Sequence, residues 1–256
     1  MTARPPRIRL DRLLVERGLA PSRERAQALV LGGHVRVAGQ PAGKPGGEVP
    51  ADVGLEVLGD DLPFVSRGGL KLAHALDHYG FDPSGQVALD VGASTGGFTD
   101  CLLQRGARRV LAIDVGYGQL AWKLRQDPRV FLLERQNVRT LTAEQLPERP
   151  TMAVSDVSFI SLRLVLPKLC ELLPPGAPAF VLIKPQFEVG KGQVGKGGVV
   201  RDPALRERAV ADVLAAARAF GFRTEPVVPS PILGPAGNVE FLARLYAPET
   251  SSSSSS

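Results

Sequence analysis

An apolar strand that runs straight into a glycine turn constrains this 256-residue chain more than any other feature. Ala88-Leu89-Asp90-Val91-Gly92-Ala93-Ser94-Thr95-Gly96-Gly97-Phe98-Thr99-Asp100 reads as a buried strand, a tight turn and the start of a helix. In an open α/β fold such a turn lies at the carboxyl edge of a parallel sheet and lets backbone approach a ligand. The rhythm repeats. Strands are predicted at 87–91, 109–114, 130–133, 152–156 and 179–184, with a last pair near 225–228 and 239–246. Helices are predicted between them at 97–105, 117–125, 162–173 and 202–220, the last capped by Asp202 with Pro203 at its first position. This alternation predicts an α/β unit with a parallel sheet, beginning near Phe64.

The turn also narrows the ligand. Asp114 ends the second strand, where a carboxylate can accept hydrogen bonds from two ribose hydroxyls. The spacing departs from G-x-G-x-x-G, which disfavours a nicotinamide or flavin. It suits S-adenosylmethionine, which has no pyrophosphate to seat on a helix N-terminus, with Asp90 near the amino-acid end. A second glycine-rich stretch, 190–197, matches G-x-x-x-x-G-K. Gly197 stands where a P-loop needs Ser or Thr, and 198–200 does not begin a helix, so nucleotide hydrolysis is set aside. A Gly/Lys loop there suits closure over substrate or contact with RNA phosphates.

Charge is concentrated at the N-terminus. Residues 1–50 hold nine Lys/Arg against four Asp/Glu, which accounts for the whole net charge of +5. A cationic segment on a neutral body is the footprint of a polyanion-binding module. The segment also looks folded. Leu10, Leu13, Leu14 and Val15 have helical spacing before Gly18. Ser22 reads as the N-cap of a second helix that reaches Gly32-Gly33. Val35 and Val37, then Leu55 and Val57, read as strands around a Gly/Pro-rich loop at 39–50. Few aromatics occur here, so recognition of RNA by shape and backbone is expected, not base stacking. Arg7, Arg9, Arg23, Arg36 and Lys44 are the candidate RNA contacts.

Acid–base candidates close the predicted strands. Asp156 and Lys184 end theirs on the same carboxyl edge as Gly92. Lys71 lies on the helix before the first strand, and Glu240 follows Asn238 in the last hairpin. A lysine ending a run as apolar as Ala179-Phe180-Val181-Leu182-Ile183 is hard to read as mere surface. His34, His74 and His78, with Cys101 and Cys170, form no ligand set, so no metal is expected. Two cysteines in no metal-like spacing suit a reducing cytosol. No apolar run approaches a membrane span, and no secretory signal is evident.

These motifs resemble the TlyA family of ribosomal RNA 2′-O-methyltransferases, also labelled hemolysin A, whose catalytic domain is similar to FtsJ (RrmJ). The resemblance runs from Arg9 to about Tyr246. It is carried by the segments 14–20, 65–72, 90–100, 155–161, 183–188, 197–202 and 237–241. It implies a Rossmann-like class I S-adenosylmethionine-dependent methyltransferase domain at 66–247, behind an α+β RNA-binding domain of ribosomal-protein type at 1–60. A linker at 61–65 and a disordered tail at 248–256 complete the expected organisation. The tether at 60–64 carries Pro63, which departs from the family pattern. A Lys-Asp-Lys-Glu tetrad maps onto Lys71, Asp156, Lys184 and Glu240. The expected cofactor set is Asp90, Gly92, Ala93, Ser94, Thr95, Gly96, Gly97, Phe98, Asp114, Asn137 and Asp156.

The chemistry implied is transfer of a methyl group to a cytidine 2′-hydroxyl in ribosomal RNA, in the cytoplasm, with ribosomal subunits as partners. Lys184, as the neutral amine, takes the hydroxyl proton. Asp156 orients that amine, and Lys71 and Glu240 position the ribose. N-methylation fits worse, because Val157-Ser158-Phe159 follows the acid in place of a Pro-Pro-aromatic motif. Carbon-5 methylation needs a nucleophilic cysteine, and both cysteines read as core. A membrane-lytic protein or a ribosome-assembly factor with secondary methyl transfer are the competing classes. For the lytic reading, the best amphipathic stretch, 202–220, reads as a helix covering a sheet. The sequence is silent on the target nucleotide, the subunit and the oligomeric state.

Overall fold

The structure is a computed structural model, and it describes residues 6–20, 22–58 and 63–249. The N-terminal unit runs β1 (Arg7–Arg9), α1 (Leu10–Glu16), α2 (Arg23–Leu31), β2 (Val35–Val37), β3 (Gln40–Pro41), β4 (Glu48–Pro50) and β5 (Leu55–Val57). Ser22 caps α2 as expected, its hydroxyl accepting from the Arg25 amide (3.2 Å). Leu10, Leu14, Ala26, Val30 and Val35 form its small core. The predicted loop at 39–50 carries the short strands β3 and β4. These pair with β2 and β1, and strands of two or three residues leave no periodicity to read.

The C-terminal unit runs α3 (Gly68–His78), β6 (Val87–Val91), α4 (Gly97–Gln104), β7 (Arg109–Ile113), α5 (Trp122–Arg125), β8 (Val130–Leu133) and β9 (Met152–Ser155). It continues with α6 (Leu166–Leu172), β10 (Pro178–Ile183), α7 (Pro185–Glu188), α8 (Pro203–Ala219), β11 (Arg223–Thr224), β12 (Val228–Pro229) and β13 (Phe241–Tyr246). The sheet order is β11-β13-β10-β9-β6-β7-β8, with β12 also on β13. Strands β10, β9, β6, β7 and β8 run parallel to one another, and β13 is antiparallel to β10. The chain leaves β6 for β7 and β8 on one side, then returns to β9 on the other. That reversal opens a crevice at the carboxyl ends of β6 and β9.

Two helical expectations change. Only Trp122–Arg125 of the predicted helix 117–125 is helical. Asp114 captures the Gly116 amide (2.6 Å), and Gly118 takes φ +71, so the chain turns first. The predicted helix 162–173 is a 3₁₀ turn at Leu162–Leu164 followed by α6, with Pro167 in its first turn. Helix α8 starts at its Asp202 cap and buries Val210, Val213 and Ala217 against the sheet. The expected linker at 61–65 and tail at 248–256 fall partly outside the described residues, which include 63–65 and 248–249 of them.

Strand parity sorts the sheet into two faces. Val87, Leu89 and Val91 of β6, with Ala179, Val181 and Ile183 of β10, pack in the core shared with α6 and α8. Ala88 of β6, Met152 and Val154 of β9, Phe180 and Leu182 of β10, and Leu242 of β13 pack in the core under α3 and α4. Asp90, Asp156, Lys184 and Glu240 continue the second series by parity. All four therefore belong to the α3 side, and Lys71 comes from α3 itself.

Candidate active site

The four residues expected as a tetrad line one cleft as two ion pairs. Lys184 Nζ lies 2.6 Å from Asp156 Oδ1 and donates to Ser158 Oγ at 2.7 Å. The Ser158 bond is the better directed of the two. Lys71 Nζ meets Glu240 Oε2 at 2.5 Å, and both side chains are buried. Two cations and two carboxylates thus neutralise one another in a partly dry site, where unpaired charge would be expensive. Burial pushes the Asp156 carboxyl up, but Lys184 and then Lys71 outweigh it, so its pKa lies below the ordinary value. Glu240 Oε1 is buried with no hydrogen-bond partner among the described residues. A side chain at Gly234 would run into that oxygen and push the Glu240 carboxylate aside.

The glycine turn stands beside the tetrad. Gly92 has φ +86, and a Cβ there would lie 2.9 Å from the Asp156 backbone oxygen. The turn and Asp156 are therefore packed backbone to backbone. Gly97 is held equally close, since a side chain would strike Ser66 Oγ and the Gly69 amide of α3. Ser94 sits at φ +50, and its amide donates to Asp114 Oδ2 (2.7 Å). Asp90 is fully buried behind the turn. Thr99 Oγ1 donates to its Oδ2 (2.6 Å), while Oδ1 has no partner among the described residues. Burial raises the Asp90 pKa to about 7 against the Thr99 hydrogen bond, with Asp156 and Asp114 adding to the rise.

One cleft of about 490 Å³ unites these parts. Its lining includes Gly92, Ala93, Ser94, Thr95, Gly97 and Phe98 of the turn together with Lys71, Asp156, Lys184 and Glu240. Gly96, Asp90, Asp114 and Asn137 lie outside the lining. Asn137 instead caps a 3₁₀ turn, its side chain accepting from the Arg139 amide (3.0 Å). The N-terminal unit supplies a wall through Gly32, Gly33, Pro41, Ala42, Gly43 and Lys44. It is fastened there by the Arg67 amide to Gly32 O (3.2 Å) and by His34 Nε2 to Val65 O (2.9 Å). Arg67 also donates to Leu233 O (3.0 Å), in the segment leading to Glu240.

The expected RNA contacts are placed unevenly. Lys44 and Arg36 are exposed, and Lys44 lines the cleft. Arg9 and Arg23, with Gln27, converge on the buried Asp11. The hydrogen bond from Arg9 holds that carboxyl far below its usual range, in spite of burial. Arg7 pairs with Glu48. These three arginines brace their own unit as well as presenting charge.

Some of the lining was not foreseen. Phe159 is 93% exposed at φ +66, beside the Phe187 ring (5.3 Å). Ser158 and Gln186 also border the cleft. Their signal lay in the segments 155–161 and 183–188, but aromatic and hydroxyl side chains in a loop carry no periodicity that marks their direction.

The FtsJ-like methyltransferase family matches residues 64–246, and the S4 domain matches residues 8–53. The chain is 52% identical to a 16S/23S rRNA (cytidine-2′-O)-methyltransferase, TlyA, of Mycobacterium tuberculosis, over 92% of this chain and 88% of that one. A solved hemolysin-labelled protein from Streptococcus thermophilus superposes with a TM-score of 0.74 at 42% identity, covering 99% of this chain and 94% of that one. The N-methyltransferase NodS of Bradyrhizobium japonicum, solved with S-adenosyl-L-homocysteine, shares the fold at 16% identity and a TM-score of 0.52, covering 74% of this chain and 90% of that one.

Proposed function

The chain belongs to the TlyA family, an S4 domain joined to an FtsJ-like methyltransferase, and from that premise we propose that it methylates a cytidine 2′-hydroxyl of ribosomal RNA, with S-adenosylmethionine as donor. The observation that carries the reading is the meeting of Lys184, Asp156 and the Lys71–Glu240 pair with the glycine turn in one cleft.

The residues present fit the donor. Gly92 and Gly97 of the turn line the cleft beside Lys184, and Asp90 Oδ1 behind the turn has no hydrogen-bond partner among the described residues, so a cationic amino group reaching it would satisfy it. Ala93, Ser94, Thr95 and Phe98 would line the amino-acid end, and Asp114 would take ribose hydroxyls on its remaining lone pairs. Bound S-adenosylmethionine supplies an electrophilic methyl on a cationic sulfur.

Lys184, once its ammonium has given a proton to solvent, accepts the proton of the attacking 2′-hydroxyl, which is a poor nucleophile until that proton leaves. Asp156 holds the amine in line and stabilises the ammonium that forms. Lys71 and Glu240 neutralise each other behind the ribose and fix its approach. Alignment of the reacting atoms contributes most of the acceleration. Phe159, exposed at the cleft, offers a face on which an extruded base can stack. The S4 wall, with Lys44 and Arg36, holds the surrounding RNA by phosphate contacts. The partners are then ribosomal subunits in the cytoplasm.

The test is methylation of purified ribosomal subunits from cells lacking this protein, with labelled donor and nucleotide mapping. Label on a cytidine 2′-oxygen is expected. Label on a base, or none on either subunit, would overturn the reading.

A further inference from the structure

Glu188 is a buried carboxylate that the methyl-transfer scheme leaves idle. It is 6% exposed and ends α7, which begins directly after Lys184. Its polar contacts reach one loop. Oε2 accepts from Ser161 Oγ (2.5 Å) and Oε1 from the Leu162 amide (2.8 Å). Arg163 Nε stands 3.6 Å from Oε2, and Arg163 Nη2 donates to the Glu188 backbone oxygen (3.3 Å).

That loop, 156–162, carries Asp156, Ser158 and Phe159. Val157 and Leu162 anchor it in the core, but the residues between are irregular, and Ser158 and Phe159 are exposed. Phe159 holds φ +66, a region that a bulky side chain keeps only where its surroundings over-determine it. Apolar anchors fix the ends of such a loop without fixing the direction of what lies between. A buried charge is tolerated when its lone pairs are used, and Glu188 uses them on the loop, not on the cleft.

We propose that Glu188 is a positioning residue for methyl transfer: its carboxylate clamps the 156–162 loop to α7, so that Ser158 meets Lys184 and Phe159 stands in the cleft. The proposal rests on the reading that this cleft methylates an RNA ribose. The geometry of the clamp is short and stiff, because α7 carries both Glu188 and Phe187, the ring that packs on Phe159.

The experiment compares Glu188→Ala, which removes both bonds of the clamp, with wild type for methyl transfer to ribosomal subunits, donor affinity by calorimetry, and thermal unfolding. Glu188→Ala is expected to bind S-adenosylmethionine within about twofold of wild type while kcat/KM falls about 10- to 100-fold, as for a displaced reacting group. The loss should fall mainly on kcat. In a Ser158→Ala/Phe159→Ala background the same change should cost less than about threefold, because the clamp acts through those residues. Unchanged kcat/KM in Glu188→Ala, or a loss that adds in full to that background, overturns the proposal. If Glu188→Ala does not fold, Ser161→Ala removes one bond of the clamp. A several-fold fall in kcat with the same non-additivity is then expected, and wild-type kcat overturns it. A wild-type protein that methylates neither subunit overturns the underlying reading together with the proposal, whereas a fully active Glu188→Ala overturns the proposal alone.

Discussion

Asp156 and Lys184 leave neighbouring parallel strands on the same face of the sheet, and their charged atoms meet at 2.6 Å on its carboxyl edge. The pair joins the two halves of the candidate site, since the Asp156 backbone also packs on Gly92 of the turn. Lys184→Ala is expected to lower methyl transfer by about 10²–10⁴-fold, the range for a positioned acid or base. Donor binding should stay within about twofold. Lys184→Arg should not restore the rate, because guanidinium remains protonated. Near wild-type transfer in Lys184→Ala would remove it from the role of base.

Asp90 gives the fold a pH dependence of defined sign. Its pKa is raised from 3.8 to about 7. Below the lower value, folded and unfolded chains both hold the proton. Between the two values the unfolded chain loses it while the fold retains it, so stability falls as pH rises, by about 4 kcal/mol in all. Urea unfolding at pH 5 and pH 7.5 should show this loss in wild type and a flatter response in Asp90→Asn. Parallel slopes for the two proteins would rule Asp90 out as the source. A cationic amino group against Oδ1 favours the carboxylate, so donor binding near pH 6 should release protons, measurable by calorimetry in buffers of different ionisation heat.

Phe159 is exposed, so its loss should hardly touch stability. Phe159→Ala should nevertheless cost about 1–3 kcal/mol in kcat/KM for RNA, the worth of stacking a base. Phe159→Tyr should keep most of the activity. Equal kcat/KM for Phe159→Ala and wild type would mean that no base stacks there.

Lys44 reaches the cleft from the S4 wall and Arg36 lies exposed on the same unit. Lys44→Ala should weaken subunit binding and reduce the slope of log K against log salt by about 1, one phosphate contact. Arg9→Ala should differ, because Arg9 also holds buried Asp11. It should lower the unfolding temperature of the S4 unit as well as RNA affinity. An unchanged salt slope in Lys44→Ala would place the RNA elsewhere.

Much of this protein could be read without coordinates. Strands 87–91 and 130–133 coincide with the observed ones, because each is a continuous apolar run between turns, the first buried throughout and the second half-buried at the sheet edge. The caps Ser22 and Asp202 were legible because each satisfies amides at the start of its own helix. Even the side of the sheet on which Asp90, Asp156 and Lys184 fall follows from strand parity, a property of local backbone. Tertiary structure alone decided how Lys71 and Glu240, distant in sequence, come to share a buried ion pair. It alone turned three N-terminal arginines toward their own acids, and it hung Phe159 over the cleft from a clamp four residues beyond Lys184. Periodicity reports which face of an element is apolar. Which charged groups find one another depends on how separate elements pack, and a one-dimensional pattern holds no record of that distance.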